Sequence, residues 1–176
     1  MKIRKTDVAG VFLIEVEPQR DERGFFARLY DPEEFSAAGI DFHPVQVNLS
    51  RNIQSHTLRG MHYQDAPHAE TKLVQVTRGA AYDVVVDLRR DSPSLGRWVA
   101  FDLDQDSASA VFIPKGCAHG FLTRTPNTDV IYYMGSMYMP GHAKGYCWND
   151  PQLKISWPAN PAVISDSDRN WPRFPA

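Results

Sequence analysis

Three short stretches of the chain gather side chains that can move protons. Leu58–Gln64 reads LRGMHYQ, and Pro67, His68, Glu70 and Lys72 follow it closely. Alternation predicts that Arg59, His62, Tyr63, Gln64 and Lys72 share one strand pair. A histidine in that setting is a candidate general base, with cationic neighbours to anchor an anionic ligand. The same pattern also suits an edge strand with ordinary surface charges. Ile131–Pro140, IYYMGSMYMP, puts Tyr132 and Tyr133 on opposite faces of a strand, so at most one looks inward. An inward tyrosine is a proton donor at neutral pH, since its unperturbed pKa is about 10. A core tyrosine with a satisfied hydroxyl is the more frequent case. Tyr138 can offer a flat face to a ring. Ile164–Asn170, ISDSDRN, has the polarity of a turn, yet one of its aspartates could fix a histidine tautomer as the acid of a triad does.

A fourth stretch, Phe112–Phe121, reads FIPKGCAHGF. Pro114, Gly116 and His119 have the PxGxxH spacing of the second cupin motif. The first cupin motif lacks its HxH here, because Tyr63 and Gln64 follow His62 and the next histidine is His68. A metal site would need three or four convergent donors, drawn from His62, His68, Glu70 and His119. The expectation is instead a cupin barrel without its metal. Cys117 lies inside this motif and reads as a small packing residue, since no histidine base is assigned to it.

These residues need a rigid scaffold. A chain of 176 residues can bury a sizeable core as one domain. Apolar residues make up 43% and charged residues 23%, ordinary for a globular protein. A net charge of −2 argues against a general nucleic-acid binder. Fully apolar runs such as Val11–Ile14 are too short to span a bilayer, and the run after MKIRK is too short for a signal peptide. Two cysteines, Cys117 and Cys147, point to free thiols in a reducing cytoplasm. Period-two alternation predicts strands over 72–77, 81–88, 98–103, 110–113 and 130–134, with glycine or proline between them. In 81–88, Tyr82, Val84, Val86 and Leu88 share one face, and Asp83 and Asp87 lie on the other, toward solvent or a polar cavity. One short helix is signalled by Asp31 as N-cap, Pro32 at its first position, Glu34, apolar Phe35 and a stop at Gly39. The prediction is an all-β sandwich or barrel with one or a few short helices. The proline-rich stretch 157–176 is expected to be irregular, as a loose end or as an arm over a site.

Taken together, the stretches resemble the dTDP-4-dehydrorhamnose 3,5-epimerase family over almost the whole chain. They are DERGFF (21–26), VQVNLSR (45–51), LRGMHYQ, KLVQVTRGAAYDVVVDLRRDSPSLGRW (72–98), IPKGCAHGF, IYYMGSMYMP, WNDP (148–151) and ISDSDRN. The resemblance implies a single cupin-type jelly-roll domain over 1–176, with no metal or other cofactor, working as a homodimer. It implies inversion of C3 and C5 of dTDP-4-dehydro-6-deoxy-D-glucose, next to the C4 ketone, on the route to dTDP-L-rhamnose. By the same resemblance His62 is the base, Asp168 its dyad acid, Tyr132 the proton donor and Lys72 the cation beside the ketone. Gln46, Asn48, Arg59 and His119 match contacts to the sugar or diphosphate, and Tyr138 matches an aromatic near the base. Arg23 matches a phosphate contact from the neighbouring subunit through an exchanged N-terminal segment, and Phe26 belongs to the same substrate-binding set. Neither nucleic acid nor membrane is implied as a partner.

Three positions depart from the family's pattern. Arg28 stands where a glutamate contacts thymine, Ala143 replaces a second glutamate beside Lys144, and Ser167 replaces a lysine before the dyad aspartate. All three concern the nucleotide or the lid, so the base preference stays open while the proton chemistry is expected intact. The alternatives are an epimerase that inverts only C3 or only C5 of the same or another nucleotide-linked 4-keto-6-deoxy sugar, a non-catalytic cupin, and a metal-dependent cupin.

Overall fold

The computed structural model describes residues 1–175. One antiparallel sheet is built from β1 (Lys2–Lys5), β2 (Phe12–Glu15), β5 (Gln46–Asn52), β7 (Lys72–Arg78), β10 (Ala110–Ile113) and β12 (Thr128–Met134), in the order β1-β2-β10-β7-β12-β5. The second holds β6 (Thr57–Gln64), β8 (Ala80–Asp87), β9 (Trp98–Asp104), β11 (Cys117–Thr123) and β13 (Ala143–Gly145), in the order β13-β6-β11-β8-β9. A two-residue strand, β14 (Val163–Ile164), runs parallel to the start of β6. β3 (Gln19–Asp21) and β4 (Gly24–Phe26) form a separate exposed hairpin. The helices are α1 (Pro32–Ala37) and α2 (Asp166–Arg169).

Each sheet uses its alternation to fill two layers. Between the sheets lie Val74 and Val76 of β7, Val85 of β8, Val111 and Ile113 of β10, Phe121 of β11 and Val130 of β12. The outer face of the first sheet is covered by Phe35 of α1 together with Ile40 and Phe42. The outer face of the second sheet presents Met61, Tyr82, Val84 and Val86 to Leu153, Ile155, Trp157 and Phe174 of the C-terminal stretch. That stretch is therefore an arm packed on the barrel. The expected start of α1 is present: Asp31 accepts the Glu33 and Glu34 N–H groups, and Pro32 opens the helix. Cys117 is a packing residue, and burial beside the Asp87–Arg89 pair pushes its thiol up to about 12.

Two expectations are corrected. β6 and β7 are not paired; β6 lies between β11 and β13, and β7 between β10 and β12. The connection 65–71 crosses from one sheet to the other, so Lys72 faces His62 from the opposing wall. The ISDSDRN segment is not a plain turn: Ser165 caps a one-turn helix by accepting the Asp168 N–H at 3.1 Å.

The barrel closes tightest where β6 meets β11. Gly60 has φ +144°, and a Cβ on it would sit 2.6 Å from Gly120 Cα. The β6–β11 register shifts between His119 and Phe121 at this point. Gly60→Ala is expected to cost about 3 kcal/mol, because the clash is with backbone and the φ is strained. Urea unfolding checks this; a cost below about 1 kcal/mol would show that the strands part easily.

Candidate active site

The barrel mouth is a cleft of about 570 Å³ with its two walls on different sheets. Inward positions of the first sheet supply Gln46 and Asn48 from β5, Lys72 from β7, and Tyr132 and Met134 from β12, side by side in register. The second sheet supplies His62 from β6 directly opposite His119 on β11.

His62 Nε2 lies 2.6 Å from Asp168 Oδ1. Asp168 is 5% exposed and takes further hydrogen bonds from the Trp171 indole at 3.2 Å and the Gly60 N–H at 3.3 Å. A carboxylate on Nε2 selects the tautomer with its proton there and leaves Nδ1 with a free lone pair. Trp171 also meets the His62 ring edge-on at 6.2 Å, and Gly145 makes room for it, since a Cβ there would sit 2.6 Å from the indole.

Two further ionisable groups of the site, Lys72 and His119, are paired as well. Lys72 Nζ is 3.0 Å from Glu70 Oε1, both side chains being 8% exposed, and it donates to the His62 backbone carbonyl at 3.4 Å. His119 Nε2 is 2.7 Å from Asp83 Oδ2, both almost wholly buried. The His119 ring packs edge-on against Tyr132 at 5.8 Å. Burial raises the Tyr132 phenol and the Asp83 charge raises it further, so it stays a protonated donor.

Of the residues expected from sequence, Gln46, Asn48, Arg59, His62, Tyr138 and Asp168 line the cleft. Lys72, Tyr132 and His119 stand deeper, on inward positions that the register just described sets beside Met134, Asn48 and His62. Arg23, Phe26 and Arg28 do not join the cleft of their own chain. Arg23 and Phe26 lie at a groove of the β3–β4 hairpin, where Arg23 is bound by Asp21, and Arg28 pairs with Asp31 at 2.9 Å. His62, His68, Glu70 and His119 do not converge: His62, Glu70 and His119 hold separate partners, and His68 packs on His142. Among the described residues no group of three or more potential metal ligands comes together. Glu70 as partner of Lys72, Asp83 as partner of His119, and Trp171 were not assigned these places from sequence. Asp83 alone had a signal, its position on the polar face of β8.

A histidine–aspartate dyad on one wall, with a phenol and a lysine on the other, makes this a cupin-type acid–base enzyme. The profile of the dTDP-4-dehydrorhamnose 3,5-epimerase family matches residues 5–176, and the chain belongs to that family of isomerases. It is 39% identical to the dTDP-4-dehydrorhamnose 3,5-epimerase of Pseudomonas aeruginosa, over 99% of this chain and 96% of that one. It is 35% identical to a dTDP-4-dehydrorhamnose 3-epimerase of Streptomyces niveus, over 97% of this chain and 82% of that one. The Bacillus anthracis dTDP-4-dehydrorhamnose 3,5-epimerase, solved with TDP and pyrophosphate bound, superposes with a TM-score of 0.95 at 40% identity, covering 98% of this chain and 99% of that chain.

Burial by itself raises the Asp168 carboxyl, but His62, the Gly60 N–H and the Trp171 indole hold it below the usual carboxylate range. A carboxyl depressed in the folded state stabilises fully above its unfolded pKa of about 4, and that contribution is lost as the pH falls through the lowered value. Acidification from about pH 5 to pH 2 should therefore cost the wild type stability that Asp168→Asn does not lose. Urea midpoints across that range check it; equal slopes would mean the dyad carboxylate is not held by these donors.

Proposed function

We propose that the protein epimerises dTDP-4-dehydro-6-deoxy-D-glucose at C3 and C5, giving dTDP-4-dehydro-L-rhamnose. The observation that carries this reading is the His62–Asp168 dyad at 2.6 Å on one wall, facing Tyr132 on the other. Protons next to a ketone become removable when the developing enolate oxygen meets fixed donors or cations. His62 Nδ1 takes the proton from carbon, and the C–H electron pair moves to the C4 oxygen as the enolate forms. Asp168 steadies the imidazolium. Lys72 and His119 face the oxygen that gains charge. The Tyr132 hydroxyl returns a proton to the carbon from the opposite face, which inverts it, and solvent exchange resets the base and the phenol. Gln46, Asn48 and Arg59 hold the sugar and diphosphate, and Tyr138 packs near the base.

The proposal includes a homodimer. β5 is an edge strand whose inward residues serve the cleft, while Val47 and Leu49 alternate outward and are each 58% exposed. An apolar edge face of that kind needs a cover. A second copy of the chain is that cover here, with Arg23 and Phe26 of each β3–β4 hairpin reaching the other subunit's cleft. The two free thiols support a reducing cytoplasm as the setting of the proposed reaction. Among the described residues no helix is long and apolar enough to cross a membrane.

Incubation with dTDP-4-dehydro-6-deoxy-D-glucose in deuterated water should place label at both C3 and C5. His62→Asn should lower exchange at both carbons by roughly 10²–10⁴-fold with the fold unchanged. Label at one carbon only would make this a monofunctional epimerase, like the Streptomyces relative, and no label would remove the activity. For the exchanged segment, Arg23→Ala and His62→Asn chains are unfolded together and refolded. Half of the dimers are then mixed, each with one intact site, so activity should recover to about a quarter of wild type. No recovery would place Arg23 in its own chain's site, and an Arg23→Ala homodimer as active as wild type would place it outside catalysis.

A further inference from the structure

We propose that Glu70 is a positioning residue of this site, its carboxylate holding the Lys72 side chain in the cleft wall, aimed at the substrate's carbonyl oxygen. The inference rests on the function proposed above. Glu70 and Lys72 are 3.0 Å apart and each side chain is 8% exposed. Glu70 lines the cleft, so the pair stands at its surface. The backbone on both sides of Glu70 is fixed by the loop that follows β12, the neighbour of β7 in the same sheet. The Gly135 N–H donates to the Thr71 carbonyl at 2.9 Å, and the Ser136 hydroxyl to the Ala69 carbonyl at 3.3 Å. Gly135 cannot be enlarged, because a Cβ would sit 2.0 Å from Thr71 Oγ1. The carboxylate is thus carried on a pinned loop, and the one further contact of the Lys72 ammonium is to the His62 carbonyl at 3.4 Å.

Two electrostatic effects oppose each other. A carboxylate near the developing enolate weakens the stabilisation that Lys72 gives. Without it, however, a lysine this buried has no counter-charge and leaves the wall. The second effect is larger, since a cation that is absent stabilises nothing, whereas a paired one keeps donors free for the oxygen.

The test is a double-mutant cycle read in single-carbon exchange and in full turnover. Glu70→Gln should lower kcat at least about tenfold while KM moves less than about threefold. Glu70→Asp keeps the charge one methylene short and should fall between the two. Glu70→Gln combined with Lys72→Met should be no slower than Lys72→Met alone, because Glu70 acts only through the lysine. Should the amide variant not fold by near-UV dichroism, the Glu70→Asp cycle reads the same coupling. A Glu70→Gln enzyme as fast as wild type or faster would show that the carboxylate only opposes the enolate, and losses that multiply would show that it acts apart from Lys72; either overturns the proposal. An inert wild type removes the proposed function and this inference with it, whereas an active wild type with independent losses removes the role of Glu70 alone.

Discussion

The hydrogen bond between His62 and Asp168 joins residues 106 positions apart, and much of the chain exists to let it form. Asp168 has to arrive at the open edge of β6 between β13 and β14. The arm from Leu153 onward achieves this by burying Leu153, Ile155, Trp157 and Phe174 against the outer face of the second sheet. Two further contacts fix its far end: the Cys147 N–H donates to the Pro172 carbonyl at 2.8 Å, and the Phe174 N–H to Asp150 at 2.9 Å. Apolar burial on the outside of the barrel thus sets the position of a carboxylate on the inside. Loss of packing at Trp157 or Phe174 acts on the base through its partner, with no contact to substrate.

The cleft also obeys an accounting of charge. A carboxylate or ammonium buried in these walls needs a partner. His62 has Asp168, His119 has Asp83, and Lys72 has Glu70. Tyr132 has no carboxylate partner and needs none, because the same burial that demands partners for ions keeps a phenol neutral. On the proposed function the result is a division of labour by sheet: a base held by an acid on one wall, and a neutral donor with a held lysine on the other. A planar enolate between them would then meet a proton acceptor on one face and a proton donor on the opposite face, which is the geometry that inversion requires.

Much of this was legible in the sequence for local reasons. Alternation in 81–88 and 110–113 located β8 and β10 within a residue, and the Asp31-Pro32 start located α1, because pleat and capping are set by near neighbours. The sheet assignment of Lys72 was not legible, since LRGMHYQ and KLVQVT look like successive hairpin strands. Whether 65–71 turns back or crosses the barrel is decided by pairing with strands far along the chain. For the same reason Glu70 read only as one of four potential metal donors, and its pairing with Lys72 on a loop pinned by Gly135 and Ser136 comes from the fold. The aspartate of ISDSDRN was visible as a candidate, but choosing Asp168 over Asp166 needed the resemblance, and later the Ser165 cap that turns Asp168 inward.

β5 shows how site and association are tied by the period of a strand. Its even residues, Gln46 and Asn48, face the cleft, and its odd residues, Val47 and Leu49, face outward. Two faces of one strand cannot move independently, because side chains alternate on a shared backbone. A register slip of one residue would send both polar contacts out and both apolar side chains into the cleft. The hydrogen bonding of β5 to β12, from Thr128 opposite Asn52 to Met134 opposite Gln46, holds one register along the whole strand. With the outward face covered by a second subunit, as proposed, covering that face and presenting Gln46 and Asn48 become the same structural event. A lone subunit then exposes an apolar edge and leaves its substrate contacts on a strand with solvent on its far side. Association would in that way tighten substrate binding without any residue of β5 changing its contacts within the chain.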